Sequence, residues 1–500
     1  MSTLTALARA RARADGAAQP LALVRHLHIA ERPLVFIPLA LAGEANAPLA
    51  AMIGDDADSP RLLVVNQPRN RDERFAFAAE LAGVVVPYLE GFATQTEDVT
   101  AGRGEIRPRF RYAPQVFVPG PASIGFVRLL GRSTRFRRTD GEYAVDPAVP
   151  VLGRWLSFLT ERAEHPGSCL LVAATEALSL HWASGQSGLE DLNLAALMAW
   201  IEPPAGLSSL AAAEAAEDPL QWPPAGPATD PGFDNEVLAP LIDAYGRADG
   251  AAARQRAEAA LARALSAQLL PTWDLMWRAI SLLRALPAGN HVGQRWDEDR
   301  TAFTSYVSYL REGDGLPQPR RDGAVAAARR LSWLERAQAS YAAQRAFDDP
   351  LAMAEFRMSG EAFAGRVVAA ESDRLDTSGK RRTLRPRIMV ETTDPLTVET
   401  GTELRAATRL AQRATVISVE PGEPGEAIRV VLELAGGMGR SLVAEPGTVP
   451  EIGDWLCYCS LPLGYQPVAD FPATDETPWT HGGPPAPAVP ADEDAVEEWS

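Results

Sequence analysis

The sequence predicts a multidomain α/β plus α protein with three parts. These are an N-terminal mixed α/β domain, a helical middle, and a C-terminal small antiparallel β-barrel (OB-like) with an acidic disordered tail. Three observations lead to this prediction. The 500 residues suffice for about three domains. The apolar spacing changes to a period of two near residue 364. The last residues are rich in proline and acids. The composition, 46% hydrophobic and 23% charged, excludes a fully disordered, collagen-like or disulfide-stapled chain.

Residues 1–145 are expected to form the mixed α/β domain. Turn clusters separate apolar runs of strand length, and Asn70 stands before a helical pattern with Asp72 and Glu73 in its first turn. The order is helix, three strands, helix and further strands. The expected helices are 21–29 and 70–89, and the expected strands are 34–41, 49–53, 62–65, 110–118 and 124–130.

The three strands and the helix over residues 20–90 resemble the core of the PD-(D/E)xK nucleases. In that family an Asp of the second strand and a Glu/Asp-x-Lys of the third bind Mg²⁺ and activate water. Here Asn66, Gln67 and Pro68 stand where Glu-x-Lys would fall, and Asp55 is the residue that could match the second-strand Asp. The resemblance therefore implies a degenerate, non-catalytic nuclease-like domain, and an unrelated α/β domain remains the alternative.

The middle region, 146–363, is expected to be helical. An apolar face begins at Trp155, and alanine and arginine, both good helix formers, dominate the second half. Seven prolines between Pro203 and Pro231 predict a Pro-rich linker or surface wrap over 203–231.

Closely spaced strand candidates over residues 364–466 predict the barrel. Residues 467–500 then form a Pro-rich acidic tail that ends in an aromatic side chain among acids. In composition this end resembles the tail with which single-stranded-DNA-binding proteins dock their partners. The partner-binding residues that this implies are Asp494, Glu497, Glu498 and Trp499.

Several activities are excluded by missing residues. Lys380 is the only lysine, and Arg374 and Arg381 occupy the glycine and Ser/Thr places of a P-loop around it, so a Walker-type ATPase is excluded. Three cysteines cannot hold a four-cysteine iron–sulfur cluster. We expect no metal, no cofactor and no catalytic residue. The longest uncharged apolar stretches are too short for a membrane span, so we expect no membrane partner and a cytoplasmic location.

The net charge of −17 is unevenly distributed. From residue 415 onward 15 acids face two arginines, which gives −13, so the first 414 residues carry only −17 + 13 = −4. Between Arg103 and Arg138 the chain has nine arginines, one acid and interleaved aromatics, and on a strand the arginines would form a row above an aromatic row. The predicted nucleic-acid-binding residues here are Arg103, Arg107, Arg109, Arg111, Arg128, Arg132, Arg135, Arg137 and Arg138. The alternative is a solvated face that pairs with the tail or with a partner protein.

A second basic run, at the entry to the barrel, adds Lys380, Arg381 and Arg382 to the predicted nucleic-acid contacts. A surface hairpin without function is the alternative. The sequence thus predicts a non-catalytic accessory or scaffold protein in nucleic-acid transactions that binds DNA or RNA and recruits a separate motor or nuclease. Two alternatives stay open: a structural subunit of a protein assembly, such as a defence or secretion complex, without nucleic-acid contact, and a divergent metal-dependent nuclease.

Overall fold

The computed structural model describes residues 2–44, 47–100, 104–224, 226–312, 323–379, 381–420, 422, 426–439, 441–463 and 470–473. The chain divides into two compact units. Residues 5–337 form the α/β unit, and residues 338–463 together with 2–4 form the barrel unit. Each unit is described by itself.

The helices are α1 (Thr3–Asp15), α2 (Arg71–Gly91), α3 (Pro121–Thr134), α4 (Ala148–Ala163), α5 (Ala174–Ser179), α6 (Leu194–Ile201), α7 (Ser209–Glu217), α8 (Pro231–Phe233), α9 (Ala239–Gly246), α10 (Ala251–Ala285), α11 (Val292–Glu312), α12 (Ala324–Asp348) and α13 (Pro350–Ser359). The strands are β1 (Gln19–Pro20), β2 (Leu34–Ala40), β3 (Pro48–Gly54), β4 (Arg61–Val64), β5 (Thr96–Thr100), β6 (Ile106–Phe110), β7 (Val116–Val118), β8 (Leu171–Ala173), β9 (Trp182–Ala183), β10 (Ala362–Glu371), β11 (Leu375–Asp376), β12 (Thr383–Leu384), β13 (Arg387–Thr392), β14 (Glu403–Ala406), β15 (Arg409–Glu420), β16 (Ile428–Ala435) and β17 (Trp455–Cys459).

The α/β unit is organised by a five-stranded sheet in the order β4-β3-β2-β7-β8. Strands β2, β3 and β4 form an antiparallel meander, whereas β7 and β8 run parallel to β2. The strands expected over 34–41, 49–53 and 62–65 are thus present, and α2 follows them with Asn70 as its N-cap, accepting hydrogen bonds from the backbone N–H groups of Asp72 and Glu73. Helix α2 then leads through the separate β5–β6 hairpin to β7.

Helices cover both faces of this sheet, and β2 is therefore buried along its whole length. Leu34 and Phe36 face a core that includes side chains of α2, α3, α4 and α11. Val35 and Ile37 face a second core with side chains of α5, α6, α9 and α10. The alternation of side chains along a strand therefore separates two helical layers.

Four expected elements were wrong. The strand expected over 110–118 is interrupted, since β6 ends at Phe110 and β7 begins at Val116. Residues 21–29 contain no helix, because their backbone groups bond to distant segments; the N–H of Arg25, for example, donates to the carbonyl of Pro287. The strand expected over 124–130 is part of α3, with Pro121 in its first turn. The region 146–202 is not wholly helical, since it contributes β8 to the sheet.

The barrel unit contains a closed barrel in the order β10-β13-β16-β15-β14-β17, with antiparallel neighbours throughout. The small antiparallel barrel is therefore confirmed. It has six strands, whereas an OB-fold has five. Alternate residues of β13 and β16 are buried, as a filled barrel requires. Gly365 of β10 is needed for close packing, because a Cβ there would lie 2.3 Å from the carbonyl oxygen of Glu391.

The segment 203–231, expected as a linker, contains α7 and packs its alanines against α6. Of the tail 467–500, the structure describes only residues 470–473. Among the described residues, none of the helices combines the length and apolar character needed to cross a membrane.

Candidate nucleic-acid interface

The arginines of β6 differ in their surroundings. Arg107 lies at the surface and pairs with Glu105 at 2.7 Å. Arg109 is only 11% exposed and reaches two carboxylates, Glu97 at 2.7 Å and Asp297 at 3.6 Å. The hydrogen bond from Arg109 lowers the pKa of Glu97. Arg109 thus ties the β5–β6 hairpin to α11, and its guanidinium is largely occupied within the protein.

Arg111, just after β6, is exposed and has no ion pair among the residues described. The expected aromatic row does not form beside it. Phe110 packs against Phe303 in the core, and Phe117 and Phe126 are buried as well. Tyr112 is the one aromatic of this row that is largely exposed, at 54%. Phe110, Phe117 and Phe126 therefore pack inside the protein rather than forming an exposed row.

A second group of arginines follows one face of α3, where Arg132 is exposed and Arg128 and Arg135 are half-buried. Arg128, Arg132 and Arg135 follow at i, i+4 and i+7, opposite a buried face that includes Phe126 and Leu130. Arg128 pairs with Glu164 at 3.0 Å. Arg132 is exposed and has no ion pair within the described parts of the chain.

The end of this row is fixed by close packing against α4. Gly153 allows it, because a Cβ at this position would lie 2.3 Å from the backbone nitrogen of Arg135. Arg137 then lies 5.1 Å from the ring centre of Phe75, and Arg138 pairs with Asp140 at 3.3 Å. The guanidinium of Arg71 also lies over the Phe75 ring. Cationic side chains therefore extend past the end of α3 into the loop that follows.

The barrel-entry run lies in the β11–β12 hairpin, where Arg381 and Arg382 are exposed. Other predicted residues, Arg103, Lys380, Asp494, Glu497, Glu498 and Trp499, lie outside the described residues.

The residues that carried the nuclease resemblance lie at opposite ends of one hairpin. The register pairs Ile53 with Arg61 and Ala50 with Val64, so Asp55 follows β3 at one end while Asn66 follows β4 at the other. Asp55 pairs with Arg32 at 2.7 Å on the surface. Asp55 is therefore not brought to the segment Asn66–Pro68, where the third-strand ligands would stand. That segment borders an open pocket of about 790 Å³ that also exposes Asp234 and Asp243.

Asp299 of α11 is a fully buried acid that sequence reasoning missed. Its carboxylate accepts hydrogen bonds from Arg162 at 2.9 Å, from the Ser168 hydroxyl at 2.7 Å and from the backbone N–H of Cys169 at 2.6 Å. Burial raises the pKa of Asp299, and the nearby Arg162 opposes that shift. The cluster fixes the segment that enters β8 against α4 and α11.

A charge signal in the sequence was also missed. Residues 163–246 contain twelve acids and no lysine or arginine. This segment supplies α6 and α7, which line an apolar pocket of about 450 Å³ together with α10. A stretch of this length with acids and without basic residues predicts an acidic surface.

Within the described residues, no three His, Cys, Asp or Glu side chains are grouped so that they could hold a metal ion. Cys169 is buried beside the backbone N–H of His28, and burial raises the pKa of its thiol to about 12. Such a thiol stays protonated and unreactive. Comparisons of the chain with protein-family models, curated proteins and solved structures found no match.

Proposed function

We propose that the protein is a non-catalytic accessory or scaffold protein that binds DNA or RNA through the basic surface of its α/β unit. The arginine row of α3 carries this proposal. Arg128, Arg132 and Arg135 share one helix face, and the chain continues directly into Arg137 and Arg138. Arg111 adds a further exposed guanidinium. Guanidinium groups spaced along a helix face are suited to phosphate contacts.

The aromatic side chains between these arginines indicate how nucleic acid would bind. Phe110, Phe117 and Phe126 are buried in the core and are not available to stack on bases. Binding would therefore depend on the phosphate backbone, which carries little sequence information and gives a strong salt dependence. We expect duplexes of unrelated sequence to bind with similar affinity.

The test measures the anisotropy of a labelled duplex of about 20 base pairs between about 50 and 200 mM salt. The double variant Arg111→Gln/Arg132→Gln removes two exposed arginines of this surface that have no ion pair in the described structure. Its slope of log K against log salt should fall by about 1.8, because each lost phosphate contact removes about 0.9. The matched control Arg256→Gln/Arg263→Gln changes two exposed arginines of α10 and should keep the original slope.

Two results would contradict the proposal. One is that the chain does not bind the duplex at the lowest salt concentration. The other is that both double variants lose the same slope, because net charge rather than this surface would then explain binding.

The alternative of a structural subunit without nucleic-acid contact also has an observation in its favour, because the exposed Leu207 lines an apolar pocket between α6, α7 and α10. If this alternative holds, the duplex does not bind, and a partner protein remains bound after nuclease treatment of the cell extract.

A further inference from the structure

The open pocket of about 790 Å³ lies beyond the carboxyl ends of β2 and β4. These two strands run in the same direction, because each is antiparallel to β3. The loop after β2, Leu41–Glu44, forms one wall of the pocket, and the loop after β4, Gln67–Asn70, forms another. Ligands of open α/β sheets bind outside the carboxyl ends of the strands, and this volume suits a small molecule.

The remaining wall is a continuous helical segment over residues 231–246, in which a π-helical turn joins α8 to α9. Asp234, Ala239, Ile242 and Asp243 of this segment line the pocket. Single π-helical turns are rare and are frequent at functional sites. The face that borders the pocket thus begins and ends at an acid and carries aliphatic side chains between the two.

The charges of the pocket do not balance. Glu44 and Arg69 neutralise each other in an ion pair at 2.6 Å. The Asp234 carboxylate accepts a backbone hydrogen bond at 2.9 Å but has no ion pair within the described part of the chain. Asp243 is exposed and reaches Arg247 only at 4.0 Å. The helical wall therefore presents two carboxylates whose charge is little compensated, which favours a cationic ligand.

The spacing of the two acids limits what this ligand can be. Nine positions separate Asp234 from Asp243, and at about 1.5 Å per residue they lie roughly 13 Å apart along the helix. A single metal ion cannot bridge that distance, so a ligand that contacts both carboxylates carries two positive charges at separate points. Ala239 and Ile242 between them suit an aliphatic chain, and the Gln67 amide on the facing wall can accept a further N–H group.

We propose that this pocket binds a linear aliphatic polyamine. One ammonium group lies at each of the two acids, and the methylene chain lies along the aliphatic side chains between them. The two end contacts select the length of the ligand, and the apolar contact favours methylene groups over a hydrated metal ion. This inference goes beyond the proposed function and does not depend on nucleic-acid binding.

Calorimetric titration of the full chain with spermidine, without nucleic acid, tests the proposal. Asp234→Asn/Asp243→Asn should weaken binding about tenfold, because both end contacts lose their charge. Asparagine at position 234 keeps an oxygen that can accept the backbone hydrogen bond, so the fold should persist. The matched control Glu236→Gln/Asp249→Asn removes the same charge from two exposed acids outside the pocket lining and should bind as the original chain does.

A second pair of variants tests the pocket without changing charge. Ala239→Phe fills space beside the aliphatic side chains and should weaken spermidine binding about tenfold. Ala244→Phe adds the same ring at an exposed position outside the lining and should leave the affinity unchanged. Equal affinity of these two variants would overturn the placement of the methylene chain.

Other ligands separate the remaining outcomes. Octylamine, with one ammonium group, and putrescine, a shorter diamine, should each bind about fivefold more weakly than spermidine. Equal binding of octylamine, or the same loss of affinity in both double variants, would overturn the proposal, because general attraction of cations would then explain binding. Tighter binding of a lysine-rich peptide would assign the pocket to a protein segment and would also overturn it, as would no binding of spermidine at low salt.

Discussion

Replacing Arg109 with glutamine tests whether this arginine stabilises the fold or binds phosphate. The guanidinium of Arg109 is 11% exposed and forms charge-assisted contacts to Glu97 and Asp297, and it also donates to the Asp297 carbonyl oxygen at 3.3 Å. A hydrogen bond to a charged group contributes about 1.5–3 kcal/mol where it is shielded from water. Both carboxylates here are partly exposed and keep a second partner in Arg300. We therefore expect Arg109→Gln to lower the free energy of unfolding by about 1–2 kcal/mol.

Urea unfolding followed by tryptophan emission measures this change, because eight of the eleven tryptophans lie within residues 5–337. Arg107→Gln is the matched control on the same strand. Both partners of its ion pair with Glu105 are exposed to solvent, so Arg107→Gln should leave the free energy of unfolding nearly unchanged. The reasoning is refuted if Arg109→Gln leaves the unfolding free energy unchanged while it flattens the salt slope of duplex binding as Arg111→Gln/Arg132→Gln does.

Asp299→Ala should destabilise the chain by about 3–5 kcal/mol in urea, because it leaves a buried arginine without its counter-charge, whereas Asp299→Asn should cost less. Burial and neighbouring arginines lower the pKa of His28 to about 4, and burial beside an arginine does the same for His165. At these two histidines the unfolded chain binds more protons, so their contribution to stability should rise from about pH 4 to pH 6.5, whereas the raised pKa of Asp299 acts in the opposite sense. A His28→Asn/His165→Asn variant should therefore lose part of this rise, and an unchanged pH dependence of its urea midpoint would contradict the assignment. Purified protein should cut neither DNA nor RNA with Mg²⁺ or Mn²⁺, and cleavage that Asp55→Ala abolishes would establish the nuclease alternative. Deleting residues 491–500 should abolish co-purification of a partner and leave duplex affinity unchanged; tighter duplex binding at low salt would show instead that the tail shields the arginines.

Local signals in the sequence predicted local structure. The side chain of Asn70 caps α2 by accepting hydrogen bonds from two backbone N–H groups within three residues of it. The start of this helix could therefore be predicted from the sequence alone. In α3 the buried positions Phe126, Val127 and Leu130 have helical spacing, and the error lay in assigning a strand period to this short apolar run. The meander β2–β4 has apolar runs of strand length bounded by turn residues, which made it recognisable.

Long-range partners could not be predicted in the same way. The burial of Arg109 depends on Asp297, and the burial of Asp299 depends on Arg162, residues more than a hundred positions away. The N–H of His26 donates to the ring of His181, which fixes a segment that would otherwise suit a helix. Such contacts exist only after the sheet has brought distant parts of the chain together, so local propensity does not reveal them.

The sheet also separates two surfaces of the α/β unit. Its five strands lie between α3 in one helical layer and α6 and α10 in the other. A polyanion bound along α3 would therefore contact one layer only. The pocket between α6, α7 and α10 would then point away from the nucleic acid. A duplex along α3 would leave this pocket open to solvent.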